Sequence, residues 1–456
     1  MKLLIFTSVL AITLTGLILG NGAIASGQEK PNVVMIISDD QAWTDYSFMG
    51  HESIKTPHLD QLARQSVVFR RGYVPTALCR PSLMTMITGH YAHHHGITGN
   101  DPSPKYAAPQ TELNHTRRGQ LIANVDQHST LPRRLADAGY LCHQSGKWWE
   151  GSFQRGGFTH GMTRGFPEKG GRHGDDGLKI GREGLAAVTD FIDMSIEEKK
   201  PFFIWYAPFL PHTPHNPPKR LLAKYSVDGR PITIAKYYAM CDWFDETCGQ
   251  LIEHLDKTNV RDNTLIVYAC DNGWIQSPDS RRYAPRSKQT PYEGGIRTPI
   301  MFSWPTKIKP AMRTELCSTI DLAPTILAAT QLPQDNTLPG LNLLPNLMSA
   351  SPIERKTIFG ESFAHDIADI NNPEASLIFR WCITGKWKLL LTYDGEVNRY
   401  QSTHPRTEKR PQLFDLNADP TELKNVAADH PELVASMAAE IKNWYPLTER
   451  KTITEF

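Results

Sequence analysis

The chain has 456 residues and a formal charge of +1, with 49 Lys and Arg side chains against 48 Asp and Glu. Proteins that bind nucleic acid usually carry a basic excess, so this balance argues against a nucleic-acid partner. The composition, 40% hydrophobic and 21% charged, is that of a globular protein with a large core and excludes extensive disorder.

The first predicted element is a secretory signal peptide over residues 1–25. A short basic start precedes an apolar run at residues 3–19, and an Ala-Ile-Ala cleavage site follows at residues 23–25. Cleavage there predicts a mature chain that begins at Ser26. The product would be secreted or periplasmic, without stable membrane insertion. Because the run approaches the length of a membrane span, an uncleaved anchor is the alternative.

Apolar runs and amphipathic stretches then alternate along the chain. The apolar runs predict buried strands at residues 32–37, 140–143, 201–207 and 264–269. The amphipathic stretches predict helices at residues 56–65, 131–138 and 234–255. Buried strands separated by helices predict an α/β fold, in which a large, mostly parallel sheet is flanked by helices.

The pattern changes after residue 341. Residues 386–393 alternate like a half-exposed strand, and residues 433–444 predict a closing helix. We therefore expect a main catalytic domain over residues 26–344 and a smaller C-terminal α+β domain over residues 345–456.

Oxygen-bearing side chains follow two of the predicted strands at the point where each strand ends. Asp39 and Asp40 follow the first strand, and Asp271 and Asn272 follow the strand at residues 264–269. Open α/β sheets bind their ligands beyond the carboxyl ends of the strands. Four oxygen donors there favour a hard cation, Ca²⁺ or Mg²⁺. The alternative is that these residues only form turns or cap helices.

Cys79 lies in the segment LCRPSLMTMITG, which predicts a short helix with Pro81 at its first position and Gly89 beyond its end. Cys79 would then lie at a helix N-terminus, where the partial positive charge favours an anionic ligand. The alternative is a buried structural cysteine, since six other cysteines are present and the total of seven is odd.

This segment resembles the type I, formylglycine-dependent sulfatases of the alkaline-phosphatase superfamily, whose signature is C-x-P-S-R followed by T-G. Other family motifs recur in order along nearly the whole predicted mature chain. They are PNVVMIISDD (31–40), TPHLDQL (56–62), GKW (146–148), PHTP (211–214), DNTLIVYACDNG (262–273), KQTPYEGGIR (288–297), DLAPT (321–325) and LFDLNADP (413–420). The resemblance implies an alkaline-phosphatase-like fold and hydrolysis of a sulfate ester, with a sulfated carbohydrate as the expected substrate.

The resemblance also implies roles for individual residues. Cys79 would be oxidised to formylglycine by a formylglycine-generating or other sulfatase-maturing enzyme, supply the nucleophilic hydroxyl and contact the metal. Lys147, His212 and Lys288 would hold the sulfate oxygens and assist proton transfer. The metal ligands would be Asp39, Asp40, Asp271 and Asn272, with Ca²⁺ as the ion in most relatives and Mg²⁺ possible.

Two positions depart from the family pattern. Leu83 stands where the signature has Arg. Trp149 stands where the family's G-K-W-H motif has its His. Nearby loops are rich in Gly, His and Arg, which suits oxyanion contacts. We expect His160 or His173 to replace the missing His and Arg172 to replace the missing Arg, with Trp149 and Trp274 free to stack on a sugar. The alternative is that these are ordinary surface-loop residues.

Three functions are consistent with these features. The first is a sulfuric ester hydrolase, and the second is a phosphodiesterase or phosphonate hydrolase of the same superfamily. Cys79 argues against the second, since phosphate sites in that superfamily usually use Ser or Thr. The third is a non-catalytic binder of sulfated glycans, which the departures at Leu83 and Trp149 favour.

Overall fold

A computed structural model describes residues 30–105, 107–393 and 410–447. The predicted signal peptide lies outside these residues. The strands are β1 (Asn32–Ser38), β2 (Val67–Tyr73), β3 (Asp101–Pro102), β4 (Leu141–Gly146), β5 (His160–Gly161), β6 (Phe202–Ala207), β7 (Thr264–Cys270), β8 (Arg297–Ser303), β9 (Ala311–Ser318), β10 (Thr357–Phe363), β11 (Asp366–Ile367), β12 (Leu377–Thr384), β13 (Trp387–Thr392) and β14 (Gln412–Asp415).

Each amphipathic stretch predicted to be helical, at residues 56–65, 131–138, 234–255 and 433–444, is found among the α-helices of the described residues. These helices are α1 (Pro57–Arg64), α2 (Cys79–Thr88), α3 (Ala92–His95), α4 (Glu112–Ala123), α5 (Leu131–Asp137), α6 (Ala186–Glu197), α7 (Lys219–Tyr225), α8 (Ile232–Lys257), α9 (Glu293–Ile296), α10 (Leu322–Ala329), α11 (Leu344–Ser349) and α12 (Pro431–Trp444). The start of α2 differs from the prediction, because α2 begins at Cys79 and Pro81 is its third residue, not its first.

The main sheet has eight strands in the order β5-β4-β6-β1-β7-β8-β2-β9. Its pairings are parallel except that β8 runs antiparallel to both of its neighbours, β7 and β2. This arrangement confirms the predicted α/β class and the mostly parallel sheet.

Both faces of the sheet are covered, which explains why the central strands are apolar without alternation. In β1, Val33, Met35 and Ile37 belong to one core cluster. Val34 and Ile36 point the other way, into a second cluster that includes residues of α8. Successive side chains of a strand face opposite sides, so a strand buried on both faces must be apolar throughout.

A smaller antiparallel sheet in the C-terminal part has the strand order β10-β12-β13-β14. The apolar face of α12 packs on it through Val434, Met437 and Ile441. This confirms the predicted α+β character of the C-terminal part, whereas a domain boundary at residue 345 stays a prediction. The described residues from Pro31 onward form one compact unit.

A buried ion cluster joins this smaller sheet to the catalytic part of the sequence. Lys388 of β13 lies 3.1 Å from a carboxylate oxygen of Glu293 and 2.7 Å from one of Glu422. Burial raises the pKa of Glu422 to about 7, with the neighbouring Lys388 opposing the shift. Since Glu293 belongs to the YEGG motif that follows Lys288, the cluster fixes a segment next to the site described below.

Two further features bear on the sequence predictions. Within the described residues, no helix combines the length and the apolar character needed to cross a bilayer. All seven cysteines lie in the described part, and each is buried and unpaired.

Lys388→Met is expected to destabilise the fold, because it leaves the buried carboxylate of Glu422 without its cation and leaves Glu293 with Arg297 alone. Removing one partner of a buried ion cluster costs about 3–5 kcal/mol, measured here as the free energy of unfolding in urea. The matched control is Lys386→Met, which breaks an exposed pair with Asp415 and should leave the unfolding midpoint unchanged. Equal midpoints for the two variants would contradict this account of the cluster.

Candidate active site

The four side chains predicted to bind a metal ion through oxygen converge at the carboxyl ends of two neighbouring strands. β1 and β7 pair in register up to their last residues, so the residues that follow emerge side by side. The backbone N–H of Asp40 donates to Asp271 Oδ1 at 3.0 Å. The side-chain amide of Asn272 donates to Asp40 Oδ1 at 2.7 Å. Asp40 adopts a left-handed backbone, with φ 65°, which turns its carboxylate back over the strand ends.

The same four side chains each keep one buried oxygen without a hydrogen-bond donor. These atoms are Asp39 Oδ2, Asp40 Oδ2, Asp271 Oδ2 and Asn272 Oδ1. Buried polar atoms normally have partners, and buried carboxylates normally have cations. Three carboxylates and one amide oxygen are the ligands that a hard divalent cation prefers. The residues therefore fit the metal ion that the family resemblance implies.

Two lysines lie against this group of carboxylates. Lys147 Nζ is 2.6 Å from Asp39 Oδ1, and Lys288 Nζ is 2.6 Å from Asp40 Oδ1. Burial raises the pKa of Asp39 well above its usual range, and Lys147 opposes that shift. Burial also works against the charge of each lysine, but the carboxylates, led by Asp39 for Lys147 and Asp40 for Lys288, raise both pKa values on balance. Both lysines therefore keep their charge.

Cys79 is the first residue of α2 and faces the carboxylate group. Its Sγ lies 3.0 Å from Lys288 Nζ and 4.0 Å from Asp40 Oδ1. Potential ligand atoms of Asp39, Asp40, Cys79 and His212 all lie within 4.8 Å of one another. Burial raises the pKa of the Cys79 thiol to about 12, against the opposing effect of the two lysines.

His212 completes this side of the group. Its Nδ1 lies 2.6 Å from the carbonyl oxygen of Thr213, a contact in which the ring N–H donates. Its Nε2 then faces Asp40 Oδ2 at 3.4 Å. The ring stacks on Phe209 with centroids 4.3 Å apart. Burial lowers the pKa of His212 well below its usual value, and the neighbouring lysines act in the same direction.

The pocket above these residues has a volume of about 350 Å³, within the roughly 300–1,000 Å³ usual for ligand sites. It contains the predicted residues Cys79, Lys147, Trp149, Arg172, His173, His212 and Lys288. It also contains Trp274, the other tryptophan expected to be free to stack on a sugar. Residues that the sequence interpretation did not single out are Asn100, Thr213, Arg281, Arg282, Tyr283, Gln289 and His365. No Asp or Glu is among these fifteen lining residues, so the walls are cationic.

Trp149, Arg172 and His173 form one wall of the pocket. The guanidinium of Arg172 lies 4.7 Å from the ring centroid of Trp149, and the rings of Trp149 and His173 are 5.1 Å apart. Arg172 Nε also donates to Asp101 Oδ1 at 3.0 Å. Burial lowers the pKa of His173 to about 3, and Arg172 adds to the shift. His173 therefore stands beside the position where the family has its histidine.

His160 lies elsewhere, and the structure does not bring it to this pocket. It belongs to the edge strand β5, its Nδ1 lies 2.9 Å from Thr159 Oγ1, and its ring is 5.3 Å from that of Phe191. Of the two candidate histidines, His173 lines the pocket and His160 does not, and the replacement of the missing histidine by His173 stays a prediction.

Arg80 has a structural partner and does not occupy the position of the missing signature arginine. Its guanidinium forms a buried two-point ion pair with Glu150, through contacts of 2.7 and 2.6 Å. Leu83 is buried in the main core cluster. The pair joins the Cys79 helix to the residue after Trp149, and thus links the two segments that depart from the family pattern.

A second cluster of potential ligand atoms lies nearby, formed by Asp101, His365 and Asp366. Its charges have partners, because Arg118 and Arg172 both pair with Asp101 and His365 Nδ1 lies 2.7 Å from Asp366. The short parallel pairing of β3 with β11 brings these residues together. Such a long-range pairing of two-residue strands leaves no periodic signal in the sequence.

Comparison with known proteins agrees with this geometry. A family model for sulfatases matches residues 31–332, and one for the N-sulphoglucosamine sulphohydrolase C-terminal region matches residues 286–445. The chain is 27% identical to human N-acetylgalactosamine-6-sulfatase, covering 93% of this chain and 87% of that protein. It is 28% identical to arylsulfatase A of Bos taurus, covering 92% and 88%. The crystal structure of Ps i-CgsB shares the fold, with a TM-score of 0.70 at 24% identity over 91% of this chain and 92% of that one.

The fold and the site together define a hydrolase of the alkaline-phosphatase type, with an oxygen-rich candidate metal site at the strand ends. The chain belongs to the sulfatase family, because the family model covers more than half of its length. It is therefore a sulfuric ester hydrolase. The family generally uses a metal ion together with formylglycine, and the residues found here suit both.

Calcium is expected to stabilise the chelator-treated protein against thermal unfolding. A ligand that binds only the folded state at about 100 times its Kd adds about 2.7 kcal/mol of stability. Asp271→Asn keeps the side-chain shape and removes one ligand charge, so its calcium-dependent rise in Tm should be much smaller. Asp366→Asn, which alters the second cluster, is the matched control and should respond like the unaltered protein. A Tm that ignores both chelator and calcium would contradict the metal assignment.

Proposed function

We propose that this sulfatase removes sulfate from a sulfated carbohydrate with residue 79, matured to formylglycine, as its nucleophile. The observation that carries the proposal is the position of Cys79. It begins a helix at the pocket floor, within 4.8 Å of the carboxylates of Asp39 and Asp40 and 3.0 Å from Lys288 Nζ. The name of the human relative, an N-acetylgalactosamine-6-sulfatase, supports a sugar substrate.

Asp39, Asp40, Asp271 and Asn272 would hold the cation, with residue 79 next to it. Four protein oxygens favour Ca²⁺ over Mg²⁺, since Mg²⁺ usually keeps several waters. When both are present, the cation supplies charge neutralisation and hydrated formylglycine supplies a hydroxyl nucleophile.

The chain's own residues would bind the sulfate and offset its charge. Lys147 and Lys288 direct two ammonium groups at the pocket floor, where buried cations stabilise charge that develops in the transition state. His212 presents Nε2 to the same space, because its Nδ1 is occupied by the Thr213 carbonyl. We assign to it proton transfer at the departing sugar oxygen.

The Trp149 wall would complete the site in place of the two family residues that are absent. The ring of His173 lies beside that of Trp149, and the guanidinium of Arg172 lies 4.7 Å from the centroid of the Trp149 ring. We propose that His173 contacts the substrate near the scissile sulfate, while Trp149 offers an aromatic surface to a sugar ring. Arg172 would act through its charge, although Asp101 holds it.

Secretion and maturation are part of the proposal. The apolar N-terminal segment supports export through a cleaved signal peptide to the periplasm or outside the cell. Conversion of Cys79 then requires a formylglycine-generating or other sulfatase-maturing enzyme as a partner. The departure at Leu83 favours a second candidate, a non-catalytic binder of sulfated glycans whose Cys79 is never converted.

Mass spectrometry of the Cys79 peptide, after co-expression with a formylglycine-generating enzyme, separates the two candidates. The enzyme predicts an aldehyde at residue 79 and sulfate release from sulfated oligosaccharides. Cys79→Ala should abolish that release, whereas Cys382→Ala, which removes an equally buried thiol in the C-terminal sheet, should retain it. A thiol kept on every molecule, together with tight glycan binding, would favour the binder. An aryl phosphate hydrolysed faster than the aryl sulfate would favour the phosphoryl-transfer alternative.

His173→Ala is expected to lower kcat on a sulfated sugar by about 10²–10³, the loss typical of removing one polar contact from a transition state. His160→Ala is the matched control, because that histidine lies on the edge strand and not in the pocket, and its kcat should be unchanged. Circular dichroism checks that both variants are folded. Equal kcat values for the two variants would contradict the role assigned to His173.

A further inference from the structure

A rigid hairpin at residues 274–287 forms one side of the pocket mouth. An antiparallel bridge joins Gln276 to Tyr283, and the Ala284 N–H donates to the Ile275 carbonyl at 2.7 Å. The buried side-chain amide of Gln276 donates to three carbonyl oxygens of the turn, those of Ser277, Ser280 and Arg282, at 2.9, 2.8 and 3.2 Å. The turn is therefore held from within.

The tip of this hairpin presents two arginines to the pocket. Arg281 and Arg282 are both exposed and both line it. Neither side chain forms an ion pair or hydrogen bond with any residue that the structure describes. Asp279, the one acidic residue of the turn, lies farther than ion-pair distance from both. Adjacent like charges on a fixed turn repel each other, so an external anion would relieve this repulsion.

Other arginines around the pocket are engaged within the protein. Arg172 pairs with Asp101, and Arg286 donates to the Glu422 carbonyl and lies 4.6 Å from the ring centroid of Tyr292. The two lysines at the floor contact Asp39 and Asp40. Arg281 and Arg282 are thus the cations of this pocket whose charge no described residue balances.

The space between floor and mouth suits a sugar ring. Trp274 and Tyr283 line it together, with ring centroids 4.9 Å apart. Aromatic rings offer sugars an apolar face, and guanidinium groups bind sulfate and carboxylate through two parallel hydrogen bonds. One substrate can therefore place its scissile sulfate at the floor and a second acidic group at the mouth.

We propose that Arg281 and Arg282 bind a second acidic group of the substrate, a sulfate or a uronate carboxylate on the same or the neighbouring sugar. This inference rests on the proposed function and narrows its substrate class to polyanionic glycans. Gln276 is a positioning residue, since it acts by fixing the turn that carries the arginines. A cationic mouth also attracts polyanions over a distance, an effect that salt screens.

The test compares three substrates that share one scissile 6-O-sulfated N-acetylhexosamine. The first is the monosaccharide, the second carries an additional sulfate, and the third is linked to a uronic acid. The matured protein should cleave at least one dianionic substrate with a kcat/KM about tenfold or more above that of the monosaccharide. That factor corresponds to about 1.4 kcal/mol, close to the lower end of the contribution of a hydrogen bond to a charged group. The dianionic substrate with the higher kcat/KM shows whether the second acidic group is a sulfate or a carboxylate.

Arg281→Ala/Arg282→Ala should reduce this preference to near unity, mainly through KM, and added salt should weaken it in the unaltered protein. The control is Arg64→Ala/Arg70→Ala, two exposed arginines outside the pocket, which should keep the full preference. Gln276→Ala should lose part of the preference for the dianionic substrate. Gln276→Glu should lose it as well, because a carboxylate cannot donate to the three carbonyls. A preference retained by the Arg281/Arg282 variant, or absent from the unaltered protein, overturns the inference.

A binding measurement keeps this test independent of turnover. Calorimetry with the Cys79→Ala protein measures the affinity for the dianionic substrates, and adding Arg281→Ala/Arg282→Ala should weaken it about tenfold or more. If the matured protein binds in this arginine-dependent way but releases no sulfate, the hydrolase proposal fails and the substrate inference stands. If it releases sulfate and the arginine variants bind as tightly as their parent, the substrate inference fails alone.

Discussion

The site depends on the burial of several carboxylates side by side at the ends of two paired strands. Burial makes charged oxygens costly, so the structure must provide cations at the same place. Lys147 and Lys288 supply two of them, and four oxygens still without donors mark where a divalent ion fits. Cys79 enters this group from the start of its helix, so the proposed conversion of its thiol and the proposed binding of one ion would act at a single point.

The rest of the fold holds this arrangement in place. The register of β1 with β7 places the four proposed metal ligands side by side, and the Arg80–Glu150 pair ties the Cys79 helix to the Trp149 wall. Lys388 reaches from the smaller sheet to Glu293, five residues beyond Lys288. The C-terminal part is thus a structural support for the catalytic lysine segment, and through β11 it also brings His365 to the pocket.

The sequence predicted what depends on local pattern and on family motifs. The apolar runs identified β1 and β7, and strand ends in a parallel sheet share one edge, so Asp39 and Asp271 could be paired in advance. The positions of side chains on irregular backbone were harder to predict from the sequence. Composition alone favoured His160 and His173 equally, but only the loop that returns beside Trp149 reaches the pocket. Arg281 and Arg282 line the pocket on a turn that the side chain of Gln276 holds in place. The hydrogen bonds of Gln276 to the turn leave no periodic signal in the sequence, so the position of the two arginines could not be predicted.

The most direct measurement is a crystal structure of the matured protein grown with calcium and recorded with anomalous data. The account predicts one ion bound by oxygens of Asp39, Asp40, Asp271 and Asn272 at about 2.3–2.6 Å, and a residue 79 without sulfur. An ion found instead at Asp101, His365 and Asp366, or a sulfur atom retained at residue 79 beside an occupied metal site in active protein, would contradict it.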